Sequence, residues 1–227
     1  MKLLSIDSST RKYSIALSEN DKVLSYKNFS LNRLLSTSIM PSITQILNKA
    51  KISFKQLDGY VVGLGPGSFT SLRVGLASIK GLIFACPKPV VGISSLDVIA
   101  MNVKEDNQSI CVIVDARRSL VYSCLYAKQN GSLVKKGKRV LTDIETVLDG
   151  LKGDVIFIGD GISLYRENIE SKSGLNPIFT SDKLWGPKAQ QLMLLGLERF
   201  KNKQYDDINS LVPLYLYPED CQVSKKI

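Results

Sequence analysis

The sequence predicts an α/β protein of two similar halves, each a mixed β-sheet flanked by helices. Apolar runs of strand length alternate with segments of helical periodicity. Residues 111–115 match residues 3–7 at a distance of 108 residues, and a hairpin pattern follows both. A strand, a glycine-rich turn and a helix then recur, at 60–65 and at 155–161. A repeat of about half the chain predicts a duplicated architecture.

The first half begins with predicted strands at 3–6, 13–17 and 23–29, separated by polar turns. Apolar residues at helical spacing predict a helix over 34–47, in which Pro41 either produces a kink or starts a second segment. A strand at 60–64, a helix at about 70–85, a strand at 90–93 and a short helix ending at 101 follow.

The second half repeats this plan with strands at 111–115, 121–126 and 155–158 and helices at 164–169 and 187–200. The polar segment 102–109 is the natural boundary between the halves. We therefore predict subdomains at 1–103 and 104–227.

The loop at residues 65–75, the signature loop, joins a predicted strand to a predicted helix with the sequence Gly-Pro-Gly-Ser-Phe-Thr-Ser-Leu-Arg-Val-Gly. Ser68 or Thr70 is a candidate helix cap, and glycines allow close approach of a ligand to the backbone. A helix start attracts anions, so Gly65, Gly67, Ser68 and Thr70 are candidates for a phosphate site. The alternative is a simple tight turn.

Composition limits the chemistry of the chain. It has 227 residues, a net charge of +9 and no histidine, which excludes a Ser-His-Asp triad and argues against zinc. Its four cysteines lie far apart and are expected to be reduced thiols, mostly buried. No apolar run is long enough to span a membrane, and Asp7 lies too early for a secretory signal, so we expect a cytoplasmic protein.

The excess of positive charge raises the question of nucleic-acid binding. The basic residues are scattered, and the densest cluster, at 135–139, has no interleaved aromatic residues on which bases would stack. A solvated basic face is therefore the preferred interpretation, and direct contact with a nucleic acid is left open.

Several motifs resemble one family in their order along the chain. The signature loop resembles the Gly-Pro-Gly-Ser-Phe-Thr-Gly-Leu-Arg-x-Gly motif of the TsaB (YeaZ) proteins, which take part in making threonylcarbamoyladenosine in transfer RNA. Segments 4–10, 90–96, 114–117 and 213–216 fit the same family. Two differences are Ser71, where the family usually has glycine, and the absence of a histidine near residues 32–35.

The resemblance implies the duplicated actin, sugar-kinase and Hsp70-like (ASKHA) fold. It also implies a non-catalytic scaffold subunit with no cofactor or metal of its own. Such a subunit pairs with the paralogue TsaD and the ATPase TsaE for threonylcarbamoyl transfer to N6 of adenosine 37 in tRNAs reading ANN codons. Transfer RNA would be reached through the complex, while a homodimer and ATP or ADP at the complex interface are left open.

The fold that the resemblance implies usually places an acid at the end of the first strand near a nucleotide, which makes Asp7 a candidate; a turn or cap role is the alternative. Asp115 holds the duplicated position, and Arg117 and Arg118 are either an anion clamp or a hairpin tip. The first two helices should form the surface that contacts TsaD. Its candidates are Leu31, Leu34, Leu35, Ile39, Ile43, Leu72, Arg73, Leu76 and Ile79.

Two other functions compete with the scaffold. One is a self-sufficient nucleotide-dependent enzyme of the same fold, a small kinase or a peptidase-like protein, that would use Asp7 and the signature loop. The other is a stand-alone binder of transfer RNA.

Overall fold

The computed structural model describes residues 1–10, 12–30 and 34–217. Their first sheet has the strand order β3-β2-β1-β4-β5. Strands β1, β2 and β3 form an antiparallel meander, whereas β4 and β5 run parallel to β1. The strands are β1 (Lys2–Asp7), β2 (Lys12–Glu19), β3 (Lys22–Ser30), β4 (Gly59–Gly63) and β5 (Val90–Ile93).

The second sheet repeats this arrangement in the order β8-β7-β6-β10-β11, with β9 paired to β7. Again an antiparallel part adjoins a parallel part. The strands are β6 (Ser109–Arg117), β7 (Leu120–Gln129), β8 (Ser132–Lys135), β9 (Val140–Thr142), β10 (Gly153–Ile158) and β11 (Leu175–Phe179). The predicted pair of mixed sheets is confirmed.

Six α-helices flank the two sheets in the described ranges. They are α1 (Leu35–Ala50), α2 (Phe69–Ala85), α3 (Ser95–Ala100), α4 (Ile144–Asp149), α5 (Ile162–Glu170) and α6 (Ala189–Lys201). Pro41 lies inside α1, so the predicted first helix is one element and not two.

Alternation along the strands assigns each helix to a sheet face. One face of the first sheet, with Leu4 and Val62, packs on α1 and α2. Its other face, with Leu3 and Val61, packs on α6. The second sheet packs on α3 with one face and on α4 and α5 with the other.

The last helix therefore covers the first sheet, although it follows the second sheet in the sequence. Gly196 is needed for this contact, since a Cβ atom there would lie 2.5 Å from Val61. The division at residue 103 stays a prediction, and α6 is a part of the later segment that packs with the earlier one.

Among the described residues, no helix has the length and hydrophobicity that crossing a membrane requires. Cys111 and Cys124 are buried, as expected for reduced thiols, and Cys86 is half-buried. Burial raises the pKa of the Cys111 thiol to about 12, so it stays protonated at neutral pH. Cys221 lies outside the described residues.

Candidate functional site

The signature loop is held tightly by hydrogen bonds within the protein. The backbone N–H of Gly65 donates to Ser95 Oγ at 3.0 Å, and the N–H of Ser68 donates to the carbonyl oxygen of Ser9 at 2.7 Å. Gly65 has a φ of +85°, which favours glycine. Two of the amides that a phosphate would need are therefore already in use. Ser68 precedes α2 as its N-cap residue, but its side chain makes no capping bond.

Gly67 is required by close packing and not by a left-handed φ. A Cβ atom at this position would lie 2.2 Å from the carbonyl oxygen of Ser9, which is backbone and cannot move aside cheaply. The signature loop thus lies directly on the turn between β1 and β2.

We expect Gly67→Ala to lower the free energy of unfolding by about 1–3 kcal/mol, because the backbone must shift to admit the methyl group. Urea unfolding measures this change. Gly137→Ala is the matched control, since no atom lies within 4 Å of its Cβ position, and it should be close to neutral. Equal effects of the two substitutions would contradict the packing argument.

Asp7 is a buried structural acid. Its Oδ1 accepts hydrogen bonds from the Ser9 N–H at 2.9 Å and the Ser9 hydroxyl at 2.7 Å, and its Oδ2 accepts from the Ser95 hydroxyl at 2.7 Å. Burial raises the pKa of Asp7, and the bonds from Ser9 and Ser95 oppose that rise. With no exposed surface, Asp7 joins β1, the following turn and α3.

The raised pKa of Asp7 predicts a pH dependence of stability. The folded state keeps this proton at a pH where the unfolded chain has lost it, so the stabilising contribution disappears as the pH rises through the folded-state pKa. We expect wild type to lose stability relative to Asp7→Asn as the pH rises above about 4, the ordinary pKa of an aspartate, towards the raised pKa of the folded state. Urea unfolding of both proteins across this range measures the difference. A constant difference, or one of opposite sign, would refute this role.

A cleft of about 1150 Å³ lies between the two halves and contains the open part of the candidate site. Gly67 and Ser68 line it, together with Leu72 and Arg73 of α2. Asp7, Gly65 and Thr70 are not among its lining residues. The cleft therefore brings together only part of the predicted phosphate site.

Asp115, the duplicate of Asp7, lies in a more open environment on the cleft wall. Its backbone N–H donates to Asp160 Oδ1 at 3.0 Å, and its carboxylate contacts Arg117 Nη1 at 3.1 Å. Arg117, Arg118 and Ser119 have φ between 52° and 68° and form the tip of the β6–β7 hairpin. The two residues predicted as a clamp or a hairpin tip are thus a tip that faces the cleft.

Arg73 belongs to a cluster at the mouth of the cleft, the rim cluster, with Phe69 and Tyr215. Its guanidinium lies 3.7 Å from the centre of the Phe69 ring, and its Nε donates to the Tyr215 hydroxyl at 3.1 Å. The rings of Phe69 and Tyr215 are 5.1 Å apart. Sequence reasoning missed this cluster because 142 residues separate Arg73 from Tyr215.

A family model described as "TsaD: tRNA N6-adenosine threonylcarbamoyltransferase" matches residues 30–224. The tRNA threonylcarbamoyladenosine biosynthesis protein TsaB of Bacillus subtilis is 32% identical over 219 residues, which cover 95% of this chain and 94% of that protein. This chain belongs to the TsaB family. The TsaB of Escherichia coli is 26% identical over 222 residues, which cover 95% of this chain and 94% of that protein.

Solved structures agree with this family at the level of the fold. YeaZ from Pseudomonas aeruginosa has a TM-score of 0.82 at 24% identity, covering 95% of this chain and 99% of that one. Component A of the Acidaminococcus fermentans (R)-2-hydroxyglutaryl-CoA dehydratase has a TM-score of 0.52 at 11% identity. The match covers 88% of this chain and 98% of that one. With the duplicated sheets, these likenesses confirm the predicted ASKHA fold.

One departure from the TsaB motif, Ser71, has a structural explanation. Ser71 lies in the first turn of α2 with a negative φ, so glycine is not needed there. Its carbonyl oxygen accepts a hydrogen bond from the Ser8 hydroxyl at 2.9 Å, which ties α2 to the turn after β1. A serine therefore fits this position.

Most of the apolar residues predicted to contact TsaD lie in the protein's own core, which corrects that prediction. They are Leu35, Ile39 and Ile43 of α1 and Leu72, Leu76 and Ile79 of α2. Their helical periodicity marks the stripe that packs on the first sheet. Leu34 is 74% exposed and Arg73 is exposed in the rim cluster, while Leu31 lies outside the described residues.

The outward stripe of α2 has a different composition. Ala77, Gly81 and Phe84 follow one another at spacings of four and three residues, and all three are exposed. Phe84 is 91% exposed, and the space around Gly81 is open. Met40 of α1 and Leu34, the N-cap residue of α1, are exposed as well. We call Ala77, Gly81 and Phe84 the partner face.

Proposed function

We propose that this chain is a non-catalytic partner subunit in threonylcarbamoyl transfer to transfer RNA, and that it pairs with TsaD through the partner face. The observation that carries the proposal is the almost complete exposure of Phe84 beside two small residues on α2. Its relatives are named for tRNA threonylcarbamoyladenosine biosynthesis, which supplies the pathway.

The shape of the partner face suits helix-to-helix packing. Ala77 and Gly81 leave a shallow strip along α2, so a second helix can approach its backbone closely. Phe84 at the end of this strip is suited to fill a pocket, and its burial would contribute about 1.5–3 kcal/mol. Because α1 and α2 cover the same face of the first sheet, a partner of the same fold would meet both helices.

The remaining components are parts of the same proposal. TsaE joins the pair as a third protein, transfer RNA is reached through the complex, and the complex works in the cytoplasm. If the complex binds a nucleotide, we propose that it is ATP or ADP at the interface between the subunits. The partner face also permits a homodimer, because a surface that accepts a paralogue of similar fold can accept itself.

The competing enzyme hypothesis depended on Asp7 facing a nucleotide. Asp7 has no exposed surface, and both of its carboxylate oxygens accept hydrogen bonds from serine residues. No observation in the described residues therefore favours Asp7 as a catalytic group, and we do not propose this function.

The direct test mixes the chain with TsaD from the same cell and follows complex formation by size-exclusion chromatography. In parallel, threonylcarbamoyl transfer to transfer RNA is measured with each protein alone and with both, in the presence of TsaE. We expect a complex, transfer only when both are present, and no turnover by this chain alone. Transfer by TsaD and TsaE at an equal rate without this chain would overturn the proposal.

A further inference from the structure

The rim cluster is an ordered aromatic surface that remains open to solvent. Phe69 is 51% exposed and Tyr215 is 45% exposed, although each contacts Arg73. The backbone N–H of Leu214 donates to the carbonyl oxygen of Leu64 at 2.8 Å, which fixes the segment that carries Tyr215. A flat ligand that stacks here would lose little side-chain entropy on binding, since the three side chains already hold one another.

The cleft below the rim cluster carries more positive than negative charge. Five cationic residues line it against three acidic ones, and one of those acids, Asp115, is paired with Arg117. Arg118, Lys183 and Lys188 also line it, and none of them forms an ion pair with a carboxylate in the described ranges. The unbalanced charge favours an anionic ligand.

The segment at residues 183–188, which carries Lys183 and Lys188, is positioned by buried contacts. The side-chain amide of Asn102 donates to the carbonyl oxygens of Leu184 at 2.7 Å and Gly186 at 2.9 Å. Ser14 Oγ accepts from the N–H of Ala189 at 2.9 Å, just after Lys188. Arg118, another lining residue of the cleft, has its backbone in the left-handed region at the hairpin tip. Both sources of positive charge are therefore built into the fold.

We infer that this cleft binds an unpaired RNA segment directly, with a base on the rim cluster and the phosphates along Arg118, Lys183 and Lys188. Aromatic surfaces beside cationic grooves are how proteins hold single strands. The choice of RNA over other nucleic acids rests on the proposed function. The binding site itself is inferred from the side chains and charges of the cleft, independently of that function.

The size and layout of the cleft favour a strand over a free nucleotide. Its volume of about 1150 Å³ exceeds the range usual for a small-molecule pocket, and its cations lie on three separate segments. The amides of Gly65 and Ser68, which would hold a single phosphate group, already donate within the protein.

The test measures fluorescence anisotropy of a labelled RNA of about 12 nucleotides, built from adenine and cytosine so that it cannot pair with itself. This chain is used alone and at several salt concentrations. We expect Phe69→Ala and Tyr215→Ala each to weaken binding at least about five-fold, as loss of one stacked base does. Lys183→Glu/Lys188→Glu should weaken it and reduce the salt slope by about 1.4, for two lost phosphate contacts.

Two control variants keep the test specific. Lys135→Glu/Lys136→Glu makes the same change of charge outside the cleft, and Tyr205→Ala removes an exposed aromatic ring outside it. Both should bind the probe like wild type. Unchanged binding by the cleft variants, or loss only in the 135/136 variant, would overturn the inference. Displacement of the RNA by sub-millimolar AMP would also overturn it, in favour of a free nucleotide. Pairing with TsaD is measured in a separate experiment, so a failure of the proposed function can be distinguished from a failure of RNA binding.

Discussion

Phe84→Asp should strongly weaken pairing with TsaD while the isolated chain stays folded. The side chain is 91% exposed, so the substitution removes almost no packing within the protein. In a complex, the new carboxylate would be buried without a partner, and loss of a central aromatic contact costs about 2–4 kcal/mol. That corresponds to a dissociation constant raised roughly 30- to 700-fold. Calorimetric titration and the transfer assay should both report the loss.

Two further variants make this prediction specific to the partner face. Gly81→Arg introduces a long side chain where nothing lies within 4 Å, so it should block a partner helix without disturbing α2. Leu164→Asp is the matched control, because Leu164 is 58% exposed on α5 of the other half. Normal pairing by Phe84→Asp, or equal loss in Leu164→Asp, would mean that TsaD binds elsewhere.

Ile43→Asp should leave no folded protein. Ile43 is completely buried between α1 and the first sheet, in a cluster of hydrophobic side chains. Removing the side chain alone costs about 2–5 kcal/mol, and an unpaired buried charge adds to that. The free energy of unfolding of a whole domain is only about 5–15 kcal/mol. Circular dichroism at 25 °C should show loss of native structure, together with loss of the cooperative thermal transition.

Leu34→Asp provides the comparison at the start of the same helix. Leu34 is the N-cap residue of α1 and is largely exposed, and aspartate is a favourable N-cap residue. Its fold should therefore survive, and its thermal midpoint should be equal to that of wild type or higher. If Ile43→Asp also melted cooperatively near the wild-type midpoint, Ile43 would belong on a surface and the core described above would be wrong.

The duplicated fold was predictable because each half repeats the same order of apolar runs. Strands β1, β4, β6 and β10 are continuous apolar segments, which is typical of strands buried on both faces. The short strands β8, β9 and β11 were not predicted. Each is only three to five residues long, with two or three apolar residues, and β11 contains Pro177, which a sheet edge tolerates. Pairing with neighbours defines them more than their own sequence does.

The functional surfaces were less predictable than the fold. Periodicity finds the apolar stripe of a helix, and in α1 and α2 this stripe is the core, so Leu35, Ile39 and Leu76 were assigned to the wrong surface. The partner face is marked by small residues and one exposed Phe84, a signal that composition hides. The rim cluster depends on tertiary contact between Phe69 and Tyr215, which no local pattern contains.

The position of α6 also affects how the chain is made. Until α6 leaves the ribosome, Leu3, Val61 and Val91 lack the cover that its residues Leu192, Met193, Leu197 and Phe200 provide. About 100 residues separate β5 from α6, which at typical synthesis rates means roughly 5–20 s of exposure. The first sheet therefore completes its folding only after the second sheet has been synthesised, and it is a candidate client for chaperones during that interval.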